Sequence, residues 1–253
     1  MEIEYRLDGL VNAPLLVLSN SLGTTFDLWQ PQMEALTRYF RVLRYNQRGH
    51  GKTPLISAPL TLERLGCDVI DLLDAQNIEC AHFCGISMGG LTGLWLSRFA
   101  PQRLRRLVVA NTAARIGNAE SWQQRAQQVR LQGLASIAST SPDRWFSDDF
   151  QRREPQRVAS LVEQLARSSA EGYAACCDAL AQADLRAEIP LMTCPMLVIA
   201  GEEDAITKVE DGRLLSATAP QARLALLPAA HISNLACPGQ FNRLVTAFLS
   251  EKV

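Results

Sequence analysis

A serine flanked by glycines, in the segment AHFCGISMGG at residues 81–90, constrains this chain most. The segment contains the pattern G-x-S-x-G between a strand-sized apolar run, Cys80–Cys84, and a stretch with helical spacing, Leu91–Phe99. This pattern predicts a sharp turn from strand to helix that exposes the serine at the carboxyl end of a sheet. Glycine is needed on both sides because a side chain there would strike the neighbouring strand or helix. Ser87 is therefore the candidate nucleophile, and the alternative is a Gly/Ser turn without a chemical role.

Apolar runs of strand length alternate with helical spacing on both sides of this turn. Leu15–Leu18 carries no polar residue, which is typical of a strand covered on both faces, whereas Ile3–Leu7 alternates and indicates an edge strand. Strands separated by helices favour parallel β-α-β units with right-handed crossovers. The sequence therefore predicts an α/β fold with a mostly parallel central sheet and helices on both faces. The further predicted strands are Phe40–Tyr45, Leu104–Ala110, Met196–Ala200 and Ala222–Leu227, and the further helices are Trp29–Tyr39, Leu62–Asp74, Val209–Ala219 and Gln240–Leu249.

Strand-like runs are absent between residues 113 and 190, where glutamine, alanine, serine and arginine dominate. The windows Ser121–Leu134 and Gln156–Arg167 are helical by spacing and propensity. We therefore predict a core made of residues 1–112 and 191–253, with residues 113–190 inserted as an all-helical cap over the carboxyl edge of the sheet. Four aromatic residues of the cap either pack it on the core or line a small-molecule pocket. They are Trp122, Trp145, Phe146 and Phe150.

Charge and composition exclude several classes of partner. The formal net charge is -1, so we expect neither a nucleic acid nor an anionic membrane surface to bind. The sequence shows no signal peptide and no apolar run of membrane-spanning length, which predicts a soluble, cytoplasmic protein. Seven cysteines without a C-x-x-C pair predict buried thiols rather than a disulfide framework or a zinc site. The chain has no nucleotide, flavin or H-E-x-x-H motif, so we expect no cofactor and no metal.

A serine needs an adjacent base, itself oriented by a third group, to act as a nucleophile at neutral pH. His231 is the predicted base because it follows a strand in a loop of small residues. His82 lies inside the predicted elbow strand and His50 in a glycine-rich turn, where a structural role is favoured over that of a base. Asp204 follows another strand in the segment GEED and is the predicted carboxylate, with a helix cap near Thr207 as the alternative. The chain order Ser-Asp-His is that of α/β-hydrolases.

Backbone N–H groups aimed at the carbonyl oxygen stabilise the charge that develops there during acyl transfer. Met88 is predicted to supply one of them, at the start of the elbow helix. The loop after Leu15–Leu18 is predicted to supply the other from Leu22, with the side chains of Asn20 and Ser21 holding that loop. Ser21 is in addition a candidate substrate contact.

Five segments together resemble the 3-oxoadipate enol-lactonase family, the lactonases of the β-ketoadipate branch of aromatic catabolism. They are LSNSLGTTFDLWQPQ, FRVLRYNQRGHG, CGISMGG, GEEDAIT and PAAHISNLACPGQF. The likeness runs nearly end to end, and its most specific parts are RYNQRGHG and SNSLGT, where most α/β-hydrolases of this size carry H-G-x-x-G. Asn46 departs from the pattern, since relatives often have aspartate there, and this implies a change in the turn or in a cap contact.

The resemblance implies a cofactor-free serine hydrolase that opens an enol-lactone bearing a carboxylate, giving 3-oxoadipate through an acyl-enzyme on Ser87. It also implies a cationic or hydrogen-bonding group that meets the substrate carboxylate, for which an arginine is best suited, and it makes Trp145 a candidate substrate contact over the pocket. Two other readings stay open on the same fold: a carboxylesterase or carbon-carbon bond hydrolase, and a non-catalytic small-molecule receptor. A haloalkane dehalogenase is excluded because its nucleophile is an aspartate.

Overall fold

The computed structural model describes residues 3–251, whose seven strands form one sheet. They are β1 (Tyr5–Asp8), β2 (Leu15–Ser19), β3 (Arg41–Tyr45), β4 (Ala81–Ile86), β5 (Leu104–Ala110), β6 (Met196–Gly201) and β7 (Ala222–Leu227). Their order in the sheet is β1-β3-β2-β4-β5-β6-β7. The edge strand β1 runs antiparallel to β3, and the other neighbouring pairs are parallel. The predicted α/β fold with a mostly parallel sheet is confirmed.

Helices cover both faces of this sheet. In chain order they are α1 (Gln30–Leu36), α2 (Leu62–Ala75), α3 (Met88–Phe99), α4 (Ala119–Gln132), α5 (Ala135–Ser139), α6 (Ser141–Trp145), α7 (Asp148–Arg153), α8 (Pro155–Ala166), α9 (Ala170–Gln182), α10 (Val209–Thr218), α11 (Ser233–Ala236) and α12 (Pro238–Leu249). The elbow helix α3 packs on β4 and β5 beside α2, and α12 packs on β5 and β7 beside α1. Because the sheet is covered on both sides, β2 is buried at every position, as its uninterrupted apolar run predicts.

Most predicted boundaries differ from the observed ones by one to three residues, and two of these differences have local reasons. The edge strand begins at Tyr5 rather than Ile3, because the Glu4 amide donates to the Thr53 hydroxyl at 3.0 Å instead of pairing with β3. The elbow helix begins at Met88, directly after the serine, before the first apolar position of its predicted run. The first residues of this helix, from Met88 on, belong to the turn motif itself. The apolar spacing begins only at Leu91, so it does not indicate this earlier start.

Six helices, α4 to α9, lie between β5 and β6, within the segment predicted as a cap. The helix α4 packs along α9. Phe146 and Phe150 are buried with their rings stacked 4.5 Å apart, so these two aromatics serve packing. Over the described range 3–251, no helix is both long and apolar enough to cross a membrane.

Candidate active site

Ser87 occupies the turn between β4 and α3 in a conformation that few non-glycine residues adopt. Its φ is 56° and its ψ is -118°, which reverses the chain from strand to helix. A Cβ on Gly85 would lie 2.2 Å from the Gly89 carbonyl oxygen, and a Cβ on Gly89 would lie 2.3 Å from the Ser19 carbonyl oxygen. Both glycines are therefore required by close backbone approach. The Ser87 amide donates to the Ala110 carbonyl at 2.9 Å, which ties the turn to β5.

The three residues predicted as a catalytic set, Ser87, His231 and Asp204, lie in one buried row. Ser87 Oγ lies 2.8 Å from His231 Nε2, and His231 Nδ1 lies 2.9 Å from Asp204 Oδ2. With the ring proton on Nδ1, the imidazole donates to the carboxylate and accepts from the serine hydroxyl. Such a row places a base on the serine and orients that base with a carboxylate, which is what activation of a serine requires.

Asp204 receives donors on both carboxylate oxygens. Oδ1 accepts from the amides of Ile206 and Thr207 at 2.8 and 3.1 Å, and Oδ2 accepts from the Thr207 hydroxyl at 2.8 Å. Burial raises the pKa of this carboxyl, but the hydrogen bond and charge of His231, with the bonds from Asn111 and the Ile206 amide, outweigh burial and leave the pKa lowered. The alternative role as a helix cap is not observed, because the N-cap of α10 is Lys208, and Asp204 instead closes the turn that precedes it.

Asn111 contacts this row and was missed by the sequence analysis. Its Nδ2 donates to Asp204 Oδ2 at 3.0 Å and to the Ala230 carbonyl at 3.1 Å, and its Oδ1 accepts from the Ser233 hydroxyl. It therefore links the carboxylate to both sides of the loop that carries His231. A usable signal was its position, because a polar residue directly after an apolar strand lies at the carboxyl edge of the sheet.

The predicted oxyanion donors Leu22 and Met88 have unpaired amides. Among residues 3–251, neither N–H donates a hydrogen bond to a protein acceptor. The Gly89 amide donates to the Asn20 carbonyl at 3.1 Å, which holds the loop before Leu22 against the start of α3. Leu22 and Ser21 line the same cavity as Ser87. Both amides therefore keep a donor that the protein does not use, as an oxyanion donor requires.

The SNSLGT loop, residues 19–24, is fastened by the RYNQRGHG turn, residues 44–51. Tyr45, Gln47 and His50 of the turn each bond to it through a side chain. Asn20 helps to hold this loop as predicted, because its Nδ2 donates to the Tyr45 carbonyl at 2.8 Å. The Ser21 hydroxyl makes no hydrogen bond within the described residues, so the predicted holding role for that side chain is not observed.

Asn46, where the sequence departs from the family pattern, contacts the edge of the sheet. Its Oδ1 accepts from the Phe26 amide at 2.7 Å, and its Nδ2 donates to Glu4 Oε2 at 2.6 Å. Glu4 Oε2 also accepts from the Lys52 amide at 2.8 Å. An aspartate at position 46 would bring a second carboxylate to Glu4, and the amide replaces that repulsion with a hydrogen bond. The departure thus concerns the turn and the amino-terminal edge of the sheet.

A cavity of about 170 Å³ contains Ser87 and His231 in its wall. Trp145 and Ser21, the two candidate substrate contacts, line it together with Trp122. Trp122 and Trp145 therefore satisfy the pocket alternative, unlike the stacked phenylalanines of the cap. Larger open depressions of about 510 to 570 Å³ lie elsewhere on the surface and contain none of these residues. Of these pockets, the one that contains Ser87 and His231 is therefore the candidate ligand site.

Comparison with known proteins shows the family to which the chain belongs. The family described as the α/β hydrolase fold matches residues 14–236. The chain is 46% identical to 3-oxoadipate enol-lactonase 2 of Acinetobacter baylyi, over 98% of this chain and 92% of that protein. It is 41% identical to 3-oxoadipate enol-lactonase 1 of the same organism, with the same coverage of 98% and 92%. The chain belongs to the 3-oxoadipate enol-lactonase family. The crystal structure of the enol-lactonase from Burkholderia xenovorans is 43% identical and has a TM-score of 0.96, covering 98% of this chain and 96% of that one.

Two arginines, Arg125 on α4 and Arg144 on α6, line the cavity of this α/β hydrolase and have no carboxylate partner among the described residues. Neither forms a salt bridge with any residue in the range 3–251. Arg125 lies over the Trp122 ring at 4.8 Å, and Arg144 Nη2 donates to the Ile137 carbonyl at 3.1 Å. Burial lowers the pKa of Arg144, and the charge of Arg125 lowers it further. Burial also raises the pKa of Tyr173 to about 12, against the opposing charges of both arginines, so this cavity phenol is protonated at neutral pH.

The described part of the chain, residues 3–251, contains no cluster of three or more His, Cys, Asp or Glu that could hold a metal ion. All seven cysteines are free thiols, including the adjacent buried pair Cys176 and Cys177 on α9.

Proposed function

We propose that this enzyme hydrolyses 3-oxoadipate enol-lactone to 3-oxoadipate, with Ser87 as nucleophile, His231 as general base and acid, and Asp204 as the carboxylate that orients the histidine. The observation that carries the proposal is the 2.8 Å contact between Ser87 Oγ and His231 Nε2, in the wall of a cavity that is also lined by two arginines without a carboxylate partner. The relatives named 3-oxoadipate enol-lactonase support the same substrate.

In this reaction Ser87 Oγ attacks the lactone carbonyl while His231 Nε2 takes the serine proton. The carbonyl oxygen becomes an oxyanion that accepts from the amides of Leu22 and Met88. Collapse of the tetrahedral intermediate breaks the ring carbon-oxygen bond, and His231 returns the proton to the enol oxygen. This oxygen stays attached to the acyl chain because it belonged to the same ring. Water, activated by His231, then adds to the acyl-enzyme and releases the acid, whose enol tautomerises to the ketone.

The substrate carboxylate is assigned to Arg125 and Arg144. A planar guanidinium binds a carboxylate through two N–H groups, and here both guanidinium groups lack such a partner. A neutral ester would leave these charges unused, so the pair favours a carboxylate-bearing lactone over the esters of a general carboxylesterase. Trp145 and Ser21 are proposed as further substrate contacts, because they line the cavity beside the serine.

Three predictions from the sequence are kept in the proposal. Residues 113–190 form a cap over a core of residues 1–112 and 191–253. The protein is cytoplasmic, which subcellular fractionation would test. Its binding partner is a small molecule rather than a nucleic acid or a membrane, in keeping with a net charge of -1.

The proposed function is tested by steady-state hydrolysis of enzymatically generated 3-oxoadipate enol-lactone, run beside p-nitrophenyl acetate. Wild type should strongly prefer the lactone, and Ser87→Ala should lower kcat by about 10³ or more without changing the melting temperature. Ser160→Ala, at an exposed position of α8, is the matched control and should behave as wild type. Turnover of the activated ester alone would refute the lactone while keeping the serine chemistry. Near-normal activity of Ser87→Ala would refute the nucleophile itself.

A further inference from the structure

His50 is a buried histidine that the reaction described above does not use. It is 2% exposed and does not line the cavity. The Gly23 amide donates to its Nε2 at 2.9 Å, and its Nδ1 lies 3.2 Å from the Arg48 carbonyl. An amide can only donate, so Nε2 carries no proton and Nδ1–H donates to the carbonyl. The contacts therefore define a neutral ring in one tautomer.

The neutrality of this ring is favoured by its surroundings. Burial lowers the pKa of His50, and the hydrogen bond to the Arg48 carbonyl opposes that shift. At neutral pH the ring is thus uncharged and keeps an acceptor at Nε2. An imidazolium would present a second N–H to the Gly23 amide, and the contact would become repulsive.

The peptide held by His50 lies inside a tight turn. The Thr24 amide donates to the Ser21 carbonyl at 3.2 Å, and Gly23 has a φ of 77°. A positive φ at the third residue is the signature of a type II turn, which converts to type I when its central peptide flips. That central peptide joins Leu22 to Gly23, and its N–H is the group bonded to His50.

The cap restrains the same glycine from another element. A Cβ on Gly23 would lie 2.8 Å from Leu165 Cδ1 and 3.1 Å from Tyr173 Cε2, so the side chains of α8 and α9 close over it. These contacts are apolar and accept no hydrogen bond from the Gly23 amide. His50 therefore supplies the directional restraint on the peptide that follows Leu22.

We propose that His50 is a positioning residue for the reaction, which fixes the turn at residues 21–24 through the Gly23 amide so that the preceding peptide keeps the Leu22 N–H aimed at the oxyanion. The inference rests on the proposed function in one respect, the role of the Leu22 amide as an oxyanion donor. His50 acts through the loop and touches neither the serine row nor the cavity.

Three substitutions of His50 distinguish the effect of losing its hydrogen-bond acceptor from the effect of losing the imidazole ring. His50→Leu removes the acceptor. His50→Gln places an amide oxygen near the position of Nε2, and His50→Asn has the same chemistry but is too short to reach Gly23. Loss of an oxyanion donor lowers kcat by about 100- to 1,000-fold, so misaiming one should lower kcat by about 10- to 100-fold. We expect this loss in His50→Leu and His50→Asn with KM nearly unchanged, and we expect His50→Gln to restore most of kcat.

Binding affinities for two kinds of inhibitor distinguish a positioning role from a merely structural one. A trifluoromethyl ketone forms a tetrahedral oxyanion on the serine, whereas adipate binds as a ground-state carboxylate. His50→Leu and His50→Asn should bind the ketone at least about tenfold more weakly and adipate equally well. Equal weakening for both ligands, or no rescue by His50→Gln, would overturn the positioning role.

Two further measurements keep the test decisive. Nitrogen-15 NMR of the wild type should find His50 Nε2 unprotonated and Nδ1 protonated at neutral pH, and the opposite tautomer would refute the inference even if the variants failed to fold. The kinetic series is repeated with p-nitrophenyl acetate, whose hydrolysis also forms an oxyanion. If the lactone is not a substrate but His50→Leu still loses kcat on this ester, the proposed substrate fails and the role of His50 stands.

Discussion

Removal of either cap arginine should weaken binding of the lactone while sparing the chemistry at the serine. Arg125→Met and Arg144→Met each remove one positive charge from the cavity and keep an apolar stem of similar length. The effect of a methionine substitution therefore reports the loss of the charge rather than the loss of side-chain packing. The substrate carboxylate is bound in both the ground and transition states, so the expected effect is on KM and little on kcat.

The size of the effect follows from the exposure of the two side chains. A hydrogen bond to a charged group contributes about 1.5–3 kcal/mol, and about 1.4 kcal/mol corresponds to a tenfold change in affinity. Arg125 and Arg144 are half-buried, so the lower end of that range applies. We expect KM for the lactone to rise about tenfold with each substitution. The double variant should lose less than the product of the two, since both charges act on one group.

Neither substitution should lower the thermal stability of the enzyme. The charge of Arg125 acts on the half-buried Arg144, and neither has a carboxylate partner in the described range 3–251. Two like charges in that position destabilise the empty enzyme, so each substitution should leave the melting temperature unchanged or higher. A variant that binds its substrate less well while resisting heat equally well is the signature of a binding residue.

The assay is steady-state kinetics on the lactone and on p-nitrophenyl acetate, with melting temperatures measured on the same samples. Arg167→Met is the matched control, because its side chain is 78% exposed and pairs only with Glu163 on the cap surface. It removes the same charge from the protein without touching the cavity. An unchanged KM for the lactone, or equal losses on lactone and neutral ester, would refute the carboxylate assignment.

Three other substitutions test the row, the elbow and a buried histidine. Asp204→Asn should lower kcat by about 10³ to 10⁴ while the fold is kept, because the ring is no longer held in the required tautomer; a smaller loss in lactone kinetics would argue against the orienting role. Gly89→Ala should destabilise the protein by about 3 kcal/mol in urea denaturation, since its Cβ would lie 2.3 Å from the Ser19 carbonyl oxygen; wild-type stability would contradict the tight elbow. Burial, with two nearby arginines, lowers the pKa of His82 from 6.5 to about 4. Between those values the unfolded chain binds more protons, so the free energy of unfolding should fall by up to about 3 kcal/mol as pH drops from 6.5 to 4. His82→Leu should remove most of that slope, and an unchanged slope would show that other groups cause it.

The fold and the serine row could be predicted because their signals are local. Apolar runs mark the strands, and the carboxyl ends of parallel strands meet at one edge of the sheet, so residues that follow different strands come together. This argument brought Ser87, Asp204 and His231 to one place, and the structure finds them within hydrogen-bonding distance. The family assignment from the sequence is likewise confirmed.

The cavity wall could not be predicted because it depends on how the cap helices are rotated. In α4 the buried residues are Trp122, Ala126 and Val129, and Arg125 lies beside them at an intermediate exposure. The spacing indicates a helix but not whether its boundary residues face solvent or a cavity. The packing of α4 along α9 determines which of its residues face the cavity. Asn111 is a different case, since it lies directly after β5 and the strand-end argument that brought the serine row together also applies to it.

The fastening of the SNSLGT loop by the RYNQRGHG turn has a consequence for protein engineering. The two segments are separate in the chain, yet they form one exchangeable part, since Gln47 donates to the Asn20 carbonyl and His50 accepts from the Gly23 amide. An H-G-x-x-G loop grafted alone from another hydrolase would meet a buried turn shaped for different partners. Combinatorial libraries that seek new lactone or ester preferences should therefore recombine both segments from the same parent.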